Sequence, residues 1–329
     1  MTVRAAPGRP RVVATARSFC AHDGPHQQLL RDAGFDLVLA AGDEPLTASE
    51  LAPLAGDADG LILGLDACDA SVFDAAPRLR VVARYGVGTD TVDLGAAERH
   101  GVTVTNTPGA NTVAVAELTL GLVLALARDL PGAVSEARAG GWRRSRGWEL
   151  SGKTLGLIGL GRIGQAVAMR AAAFGMHVIG HDPYAPEVPG VERVDLDRLW
   201  PRADVISLHL GLTEDSRHLI DADVLRRCKP TAVIVNTARG GLIDERALAD
   251  ALREGRLAGA AADAFEHEPP TGSPLLELAT FLPTPHLGAT TREASRHMGV
   301  AAAESVIAVL GGASPRNVVL APTTPRRTP

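Results

Sequence analysis

The sequence predicts an α/β protein of two domains with parallel sheets, linked by two long helices, with a ligand-binding cleft between the domains. Three observations carry this prediction. Short apolar runs alternate with amphipathic ones, the alternation breaks once near residue 110 for a long apolar helical stretch, and a second such stretch closes the pattern. A length of 329 residues fits two average cores better than one.

The first series starts at residue 11. RVVATA, FDLVLA, GLILGL, LRVVARYG and VTVTNTP read as buried parallel strands, and HQQLLRDAG, SELAPLA, VFDAA and AAERHG as the helices that cover them. Residues 111 to 130, NTVAVAELTLGLVLALARDL, are apolar nearly all round, which predicts a helix buried between two bodies and ended by Pro131. A loop rich in Gly, Trp and Arg follows over 139 to 150. A second series then runs through KTLGLIGLGRIG, HVIGHD, ADVISLHL, AVIVNTA, AGAAADAF and TFLPTPH. Residues 294 to 310 form the second long helix, and PTTPRRTP is expected to be a loose tail. If the last helix returns to the first unit, residues 1–109 and 293–329 make one discontinuous domain and 110–292 the other.

Composition bounds the function. Hydrophobic residues at 46% and charged residues at 22% suit a soluble globular chain, and 3% aromatics predict an aliphatic core. A net charge of -5 with no basic block argues against nucleic acid. Cys20, Cys68 and Cys228 show no CxxC and no Cys/His cluster, so neither a disulfide framework nor a metal site is expected. The N-terminus lacks an apolar leader core and no stretch reaches about 18 apolar residues, so a cytoplasmic protein with no membrane partner is the expectation.

The turn at the head of the second series is specific. Gly159, Gly161 and Gly164 form GxGxxG directly after a strand and at the start of a helix, and Asp182 ends the next strand. That context is the dinucleotide site of a Rossmann/flavodoxin-like domain: glycines allow a tight turn and close approach of backbone to pyrophosphate, and the helix N-terminus favours negative charge. Asp182 can accept from an adenosine ribose and repels a 2′-phosphate, which favours NAD over NADP.

Hydride transfer to a keto acid needs a proton donor, a cation for carboxylate and carbonyl, and a carboxylate that keeps the donor protonated. Three strand ends of the second series offer them: Arg239 in VNTARGG, Glu268 in EHEPP and His286 in PTPHLG. Taken singly, Arg239 also reads as a surface ion pair and Glu268 as turn chemistry. His209 in SLHLGLT ends a strand too and reads as cofactor lining or packing, not as the acid.

The long collinear motifs RYGVGTDTVDL, TNTPGANTVAVAELTLGL, GLIGLGRIG, NTARGGLIDERALADAL, ADAFEHEPP and TPHLGATT resemble the D-isomer specific 2-hydroxyacid dehydrogenase family, most nearly its short-form D-3-phosphoglycerate dehydrogenase branch. The resemblance covers nearly the whole chain. It implies that Arg239 binds the substrate carboxylate and keto oxygen, that Glu268 pairs with His286, and that His286 is the acid/base. It also implies that Asp263 faces the nicotinamide and that Val87, Arg162, Ile163, Asp182, Leu210, Thr237, Ala238 and Gly288 line the NAD site. Gly86 and Gly88 would offer N–H groups to the carboxylate, with Arg84 and Tyr85 beside them, and Arg144 would reach the substrate of a neighbouring subunit in a homodimer paired through the NAD domain.

Two departures bear on the substrate. Gly64 stands where the branch carries a phosphate-gripping arginine, whereas Arg143, Arg144 and Arg146 remain in the 139 to 150 loop. Gly211 replaces a common proline, Thr91 replaces a common asparagine, and no regulatory domain is expected after the last helix. The resulting expectation is an NAD-dependent dehydrogenase of a small anionic 2-hydroxy or 2-keto acid, without a metal, with its active site in the interdomain cleft. Its rivals are a dehydrogenase of a hydroxy-phosphonate or other unusual acid and a non-catalytic NADH-sensing corepressor.

Overall fold

The computed structural model describes residues 8–42, 44–142, 144–324 and 326. Residues 1–7, Asp43, Arg143, Pro325 and 327–329 lie outside the described residues; they include one of the three loop arginines and most of the end of the expected tail. The chain divides into two compact units, Met1–Asn111 with Thr290–Pro329, and Thr112–Ala289.

In the first unit, strands β1 (Arg11–Ala14), β2 (Asp36–Leu39), β3 (Gly60–Leu63), β4 (Val81–Arg84) and β5 (Thr103–Thr105) pair in parallel in the order β5-β4-β3-β1-β2. Strands β1, β3 and β4 are buried along their whole length. Such strands have helices on both faces and therefore read as unbroken apolar runs. The helix Arg292–Leu310 returns to this unit and crosses the helix Pro25–Asp32 at Gly299, where a Cβ would stand 2.8 Å from His26 Cγ. Only a residue without a side chain permits that approach. Thr291 caps the returning helix, its side chain accepting from Ala294 N.

The chain end departs from expectation. An antiparallel strand (Val318–Leu320) pairs with β5, and Thr323 and Arg326, in the tail expected to be loose, are docked. Thr323 donates both its N–H and its hydroxyl to Glu98 at 2.9 Å, and Arg326 donates its N–H to Gly101 O at 2.9 Å. The polar residues of PTTPRRTP carry no periodic signal, so partners more than two hundred residues away were invisible.

The second unit holds β6 (Thr154–Ile158), β7 (His177–His181), β8 (Glu192–Arg193), β9 (Val205–Leu208), β10 (Val233–Asn236), β11 (Gly259–Ala262) and β12 (Phe281–Pro283), all parallel, in the order β12-β11-β10-β9-β6-β7-β8. Two apolar clusters cover its faces. One centres on Trp200, Ile206, Ile234 and Leu248, the other on Leu120, Val123, Leu157 and Val233. The strand order reverses between β6 and β9, and the connections that follow them leave for opposite faces, with Val167 in one apolar cluster and Leu225 in the other; such a switch point is where these sheets bind ligands.

The helix Thr112–Arg128 packs on the helix Arg162–Ala173 and on β10 and β11, burying Ala116, Leu120, Val123 and Ala127. Pro131 does not end it. The helix stops at Arg128 because Asp129 adopts a left-handed backbone (φ 47), and Pro131 lies in the first turn of a new helix, Leu130–Arg138. Proline is tolerated there because the first-turn N–H has no helical acceptor to lose.

Candidate active site

Residues after β6 form the first part of the site. Gly159 has a left-handed φ of 94°, and a Cβ there would stand 2.4 Å from His209 O. At Gly164 a Cβ would stand 2.1 Å from Gly159 O, so the helix can close onto the turn only without a side chain. Gly161, the N-cap of the helix Arg162–Ala173, has open space at its Cβ position and no side-chain cap. The first-turn N–H groups therefore point, with the helix dipole, at a space suited to an anion.

Asp182 stands at the end of β7. Its Oδ2 accepts from Leu160 N at 2.8 Å and its Oδ1 from Tyr184 N and Ala185 N at 2.9 and 3.0 Å. Burial pushes the carboxyl up, but these backbone donors and Arg193 outweigh it and keep the group below its ordinary value. Arg193 itself donates to the backbone carbonyls of Asp182 and Ala185.

His209, at the end of β9, has its ring buried. Nε2 shares a hydrogen bond with Ser207 Oγ at 2.9 Å, and Nδ1 is buried with no partner among the described residues. Burial pushes its pKa down to about 3. A ring that stays neutral at working pH does not serve as the proton reservoir, and its orphaned nitrogen at the glycine turn suits a bound group. Of the other expected cofactor residues, Arg162 is exposed, Ile163 packs partly on one apolar cluster, and Leu210 and Ala238 pack partly on the other. Thr237 Oγ1 shares a hydrogen bond with Thr119 Oγ1 at 2.9 Å.

The ends of β10, β11 and β12 hold the charged groups. Asn236 braces the first turn, donating to Arg239 O at 2.8 Å and accepting from Ala238 N at 3.0 Å, and Arg239 Nη1 donates to Ala238 O at 2.8 Å. His286 has a left-handed backbone (φ 52), and its Nδ1 lies 2.8 Å from Glu268 Oε2 and 2.9 Å from Oε1. Glu268 Oε1 also accepts from Phe265 N at 3.1 Å. Burial raises the Glu268 carboxyl, but the hydrogen bond and charge of His286, the Phe265 N–H and the charge of Arg239 overcome it, and the net displacement is downward. The side chains of His286 and Glu268 are 30% and 25% exposed, so the pair is accessible to a ligand while screened from bulk water.

Asp263 takes a role beyond the one implied by the resemblance. It is 2% exposed, and it accepts from Thr284 Oγ1 (2.6 Å), Leu287 N (2.6 Å) and Gly288 N (2.7 Å). Its carboxylate thus fastens the loop on both sides of His286. ADAF reads only as a strand end, so nothing in it signals partners more than twenty residues on.

The loop after β4, in the first unit, is built differently from the expectation. Arg84 is 4% exposed and its Nη1 donates to Leu63 O and Tyr85 O at 3.2 and 2.9 Å. Tyr85 is buried, with its hydroxyl donated to Ser295 O at 2.9 Å, and burial pushes it up to about 12. Gly86 N donates to Thr107 Oγ1 at 3.0 Å, and Asn106 Nδ2 donates to the carbonyl of the exposed Val87 at 2.8 Å. Arg84 and Tyr85 therefore brace the loop that carries Gly86 and Gly88. In the 139 to 150 loop Arg144 and Arg146 are exposed. Among the described residues no group of three or more His, Cys, Asp or Glu could hold a metal ion, and no helix is long and apolar enough to cross a membrane.

The glycine turn, and the carboxylate-histidine pair with its arginine, all follow carboxyl ends of strands in one doubly wound sheet, the layout of a dinucleotide-binding site. The comparisons specify it. Residues 120–288 match the family model of the D-isomer specific 2-hydroxyacid dehydrogenase, NAD binding domain. The chain is 47% identical over 307 residues to D-3-phosphoglycerate dehydrogenase of Methanocaldococcus jannaschii, covering 91% of this chain and 58% of that one. It is 44% identical over 280 residues to hydroxypyruvate reductase of Thermotoga maritima, covering 83% of this chain and 92% of that one. Among solved structures, the TT0316 protein from Thermus thermophilus superposes with a TM-score of 0.87 at 42% identity, covering 94% of this chain and all of the other. The chain belongs to the D-isomer specific 2-hydroxyacid dehydrogenase family, and its cofactor is that family's NAD. It spans only about half the length of several phosphoglycerate dehydrogenases that it matches.

Proposed function

We propose that this protein is an NAD-dependent dehydrogenase that interconverts a small anionic 2-hydroxy acid and its 2-keto acid. The observation that carries the reading is the 2.8 Å contact of His286 Nδ1 with Glu268 Oε2, made beside the Arg239 turn. Bound NAD supplies or accepts the hydride. His286 uses Nδ1 toward Glu268, which leaves Nε2 to give a proton to the keto oxygen during reduction and to take it back during oxidation. Glu268 compensates the positive ring and fixes its orientation. Arg239 holds the substrate carboxylate with its planar fork.

In the cofactor turn, the N–H groups after Gly161 hold the pyrophosphate, and Asp182 takes the ribose, with Ile163, Leu210, Thr237, Ala238 and Gly288 around it. Asp182 keeps an acceptor oxygen there and repels a 2′-phosphate, in support of NAD. The first unit is the substrate-binding domain. Gly64, in place of an arginine, directs the choice of acid away from a tightly gripped phosphate; this also supports the second reading, an unusual acid such as a hydroxy-phosphonate. Leu130, Val134 and Trp142, which are 48%, 47% and 83% exposed, support a homodimer through the NAD domain with Arg144 near its seam. A cytoplasmic location is part of the same reading.

The test is His286→Ala assayed with NADH against glyoxylate, hydroxypyruvate, phosphohydroxypyruvate and phosphonopyruvate. Turnover on the best acid should collapse by about a thousandfold or more while NADH still binds. Undiminished turnover overturns the acid/base assignment, and NADH binding with no turnover of any acid by the unmodified protein favours a sensor.

A further inference from the structure

EHEPP contains a second acid, Glu266, for which the reaction above has no use. Its carboxylate is held by two side chains from the loop after β9. Arg217 Nη2 donates to Oε2 at 3.3 Å, and His218 Nε2 lies 3.0 Å from Oε1. The Glu266 N–H donates to Glu245 Oε1 at 2.8 Å, in the first turn of the helix Glu245–Arg253. The peptide that joins Phe265 to Glu266 lies hard against Gly240, where a Cβ would stand 2.2 Å from Glu266 N.

His218 is held too. Its backbone is left-handed (φ 51) and its N–H donates to Gly241 O at 2.8 Å. Three loops therefore meet at Glu266: the one with His209 and Leu210, the one with Arg239, and the one with Glu268. An isolated exposed ion pair fixes little. Here two donors from one fixed turn share one carboxylate whose own N–H is bound and whose preceding peptide is packed against Gly240, so the geometry is over-determined. Two residues further on stands Glu268, tied back to Phe265 N.

We propose that Arg217, His218 and Glu266 form a clamp that positions Glu268 against His286. Glu266 is a positioning residue that acts through Glu268, and the inference rests on the acid/base role proposed above for His286. The charged groups that face Glu266 are Arg217, His218 and Glu245; those that face Glu268 are His286 and Arg239.

The experiment uses the full chain with Glu266→Ala, Glu268→Gln and the double variant. On the best 2-keto acid with NADH, Glu266→Ala should lower kcat about tenfold with the KM for NADH unchanged, as displaced catalytic groups do. In the Glu268→Gln background the same change should cost less than about twofold, because the two act as a unit. Equal losses in both backgrounds, or no loss, overturn the clamp. Arg217→Ala serves in the same cycle if Glu266→Ala does not fold.

A second readout needs no turnover. In protein carrying ¹³C-labelled glutamate, the Glu268 carboxyl is titrated by NMR with and without Glu266. Removal of a nearby negative charge alone would lower its pKa, whereas release of Glu268 from His286 raises it. A rise supports the clamp and a fall or no change overturns it. If that rise occurs and no acid is reduced by the unmodified protein, the proposed reaction fails while the clamp stands.

Discussion

Asp263 holds Gly288: its Oδ2 accepts from the Gly288 N–H at 2.7 Å, while its Oδ1 accepts from Leu287 N and Thr284 Oγ1 at 2.6 Å. The left-handed turn at His286 is thereby hung from a buried carboxylate on the neighbouring strand. Burial pushes that carboxyl up, and the three donors and His286 only partly reverse the effect. The arrangement needs an acceptor on both oxygens.

Asp263→Asn therefore should aim an amide N–H at a backbone N–H. One buried donor loses its acceptor, at a cost of about 1–3 kcal/mol. Thermal unfolding should show the loss, and kcat should fall with it; a variant with unaltered melting temperature and kcat would show that the loop does not depend on this clasp.

Glu268→Gln tests the pair by its pH dependence. The folded-state pKa of Glu268 is lowered, so its ionised form contributes stability above the unfolded value of about 4.3, and that contribution is lost as pH falls through the folded value. The stability gap between the unmodified protein and the variant should be widest at neutral pH and shrink below about pH 4.5. Denaturant titrations at several pH values read it; a constant gap means that the contact contributes nothing through charge.

Asp182→Ala should relax cofactor choice. It removes the acceptor for the ribose and the charge opposed to a 2′-phosphate, so the ratio of kcat/KM with NADPH to that with NADH should rise about tenfold or more. Because Asp182 also accepts from Leu160 N, Tyr184 N and Ala185 N, the variant should melt earlier. An unchanged cofactor ratio would remove Asp182 from the ribose site.

Gly240→Ala should disrupt the site without touching a charged group. Its Cβ would lie 1.8 Å from Phe265 C, closer than any atoms can pack, so the Arg239 turn or the Glu266 loop must move. A shift of about 1 Å at a reacting group costs about a hundredfold. Gly161→Ala, with open space at its Cβ, is the contrasting case and should affect cofactor affinity more than stability. Equal effects of the two substitutions on melting temperature would contradict this difference.

Much of the fold was legible because its signals are local. Doubly covered strands read as apolar runs, and GxGxxG with Asp182 is a single βαβ unit. His286, Glu268 and Arg239 could be named as candidates because each closes a strand with a side chain of the right chemistry. Pro131 misled, since the same residue that stops one helix can open the next, and the left-handed backbone at Asp129 that decides between them has no sequence signature. The tail misled because Thr323 and Arg326 find partners at Glu98 and Gly101.

By itself, then, the sequence determined the alternation of the main strands and helices, the glycine turn, the family and the three charged candidates, since these depend on neighbours along the chain; the strands Glu192–Arg193 and Val318–Leu320 and the helix Leu130–Arg138 were not among its readings. Tertiary structure decided where side chains direct their hydrogen bonds. It turned Arg84 and Tyr85 inward to Leu63 O and Ser295 O, set Asp263 under the histidine loop, and joined Arg217 and His218 to Glu266. The physical reason is that a side chain's direction is fixed by what packs around it, and these partners come from strands, loops and a helix that are close in space but distant in the chain.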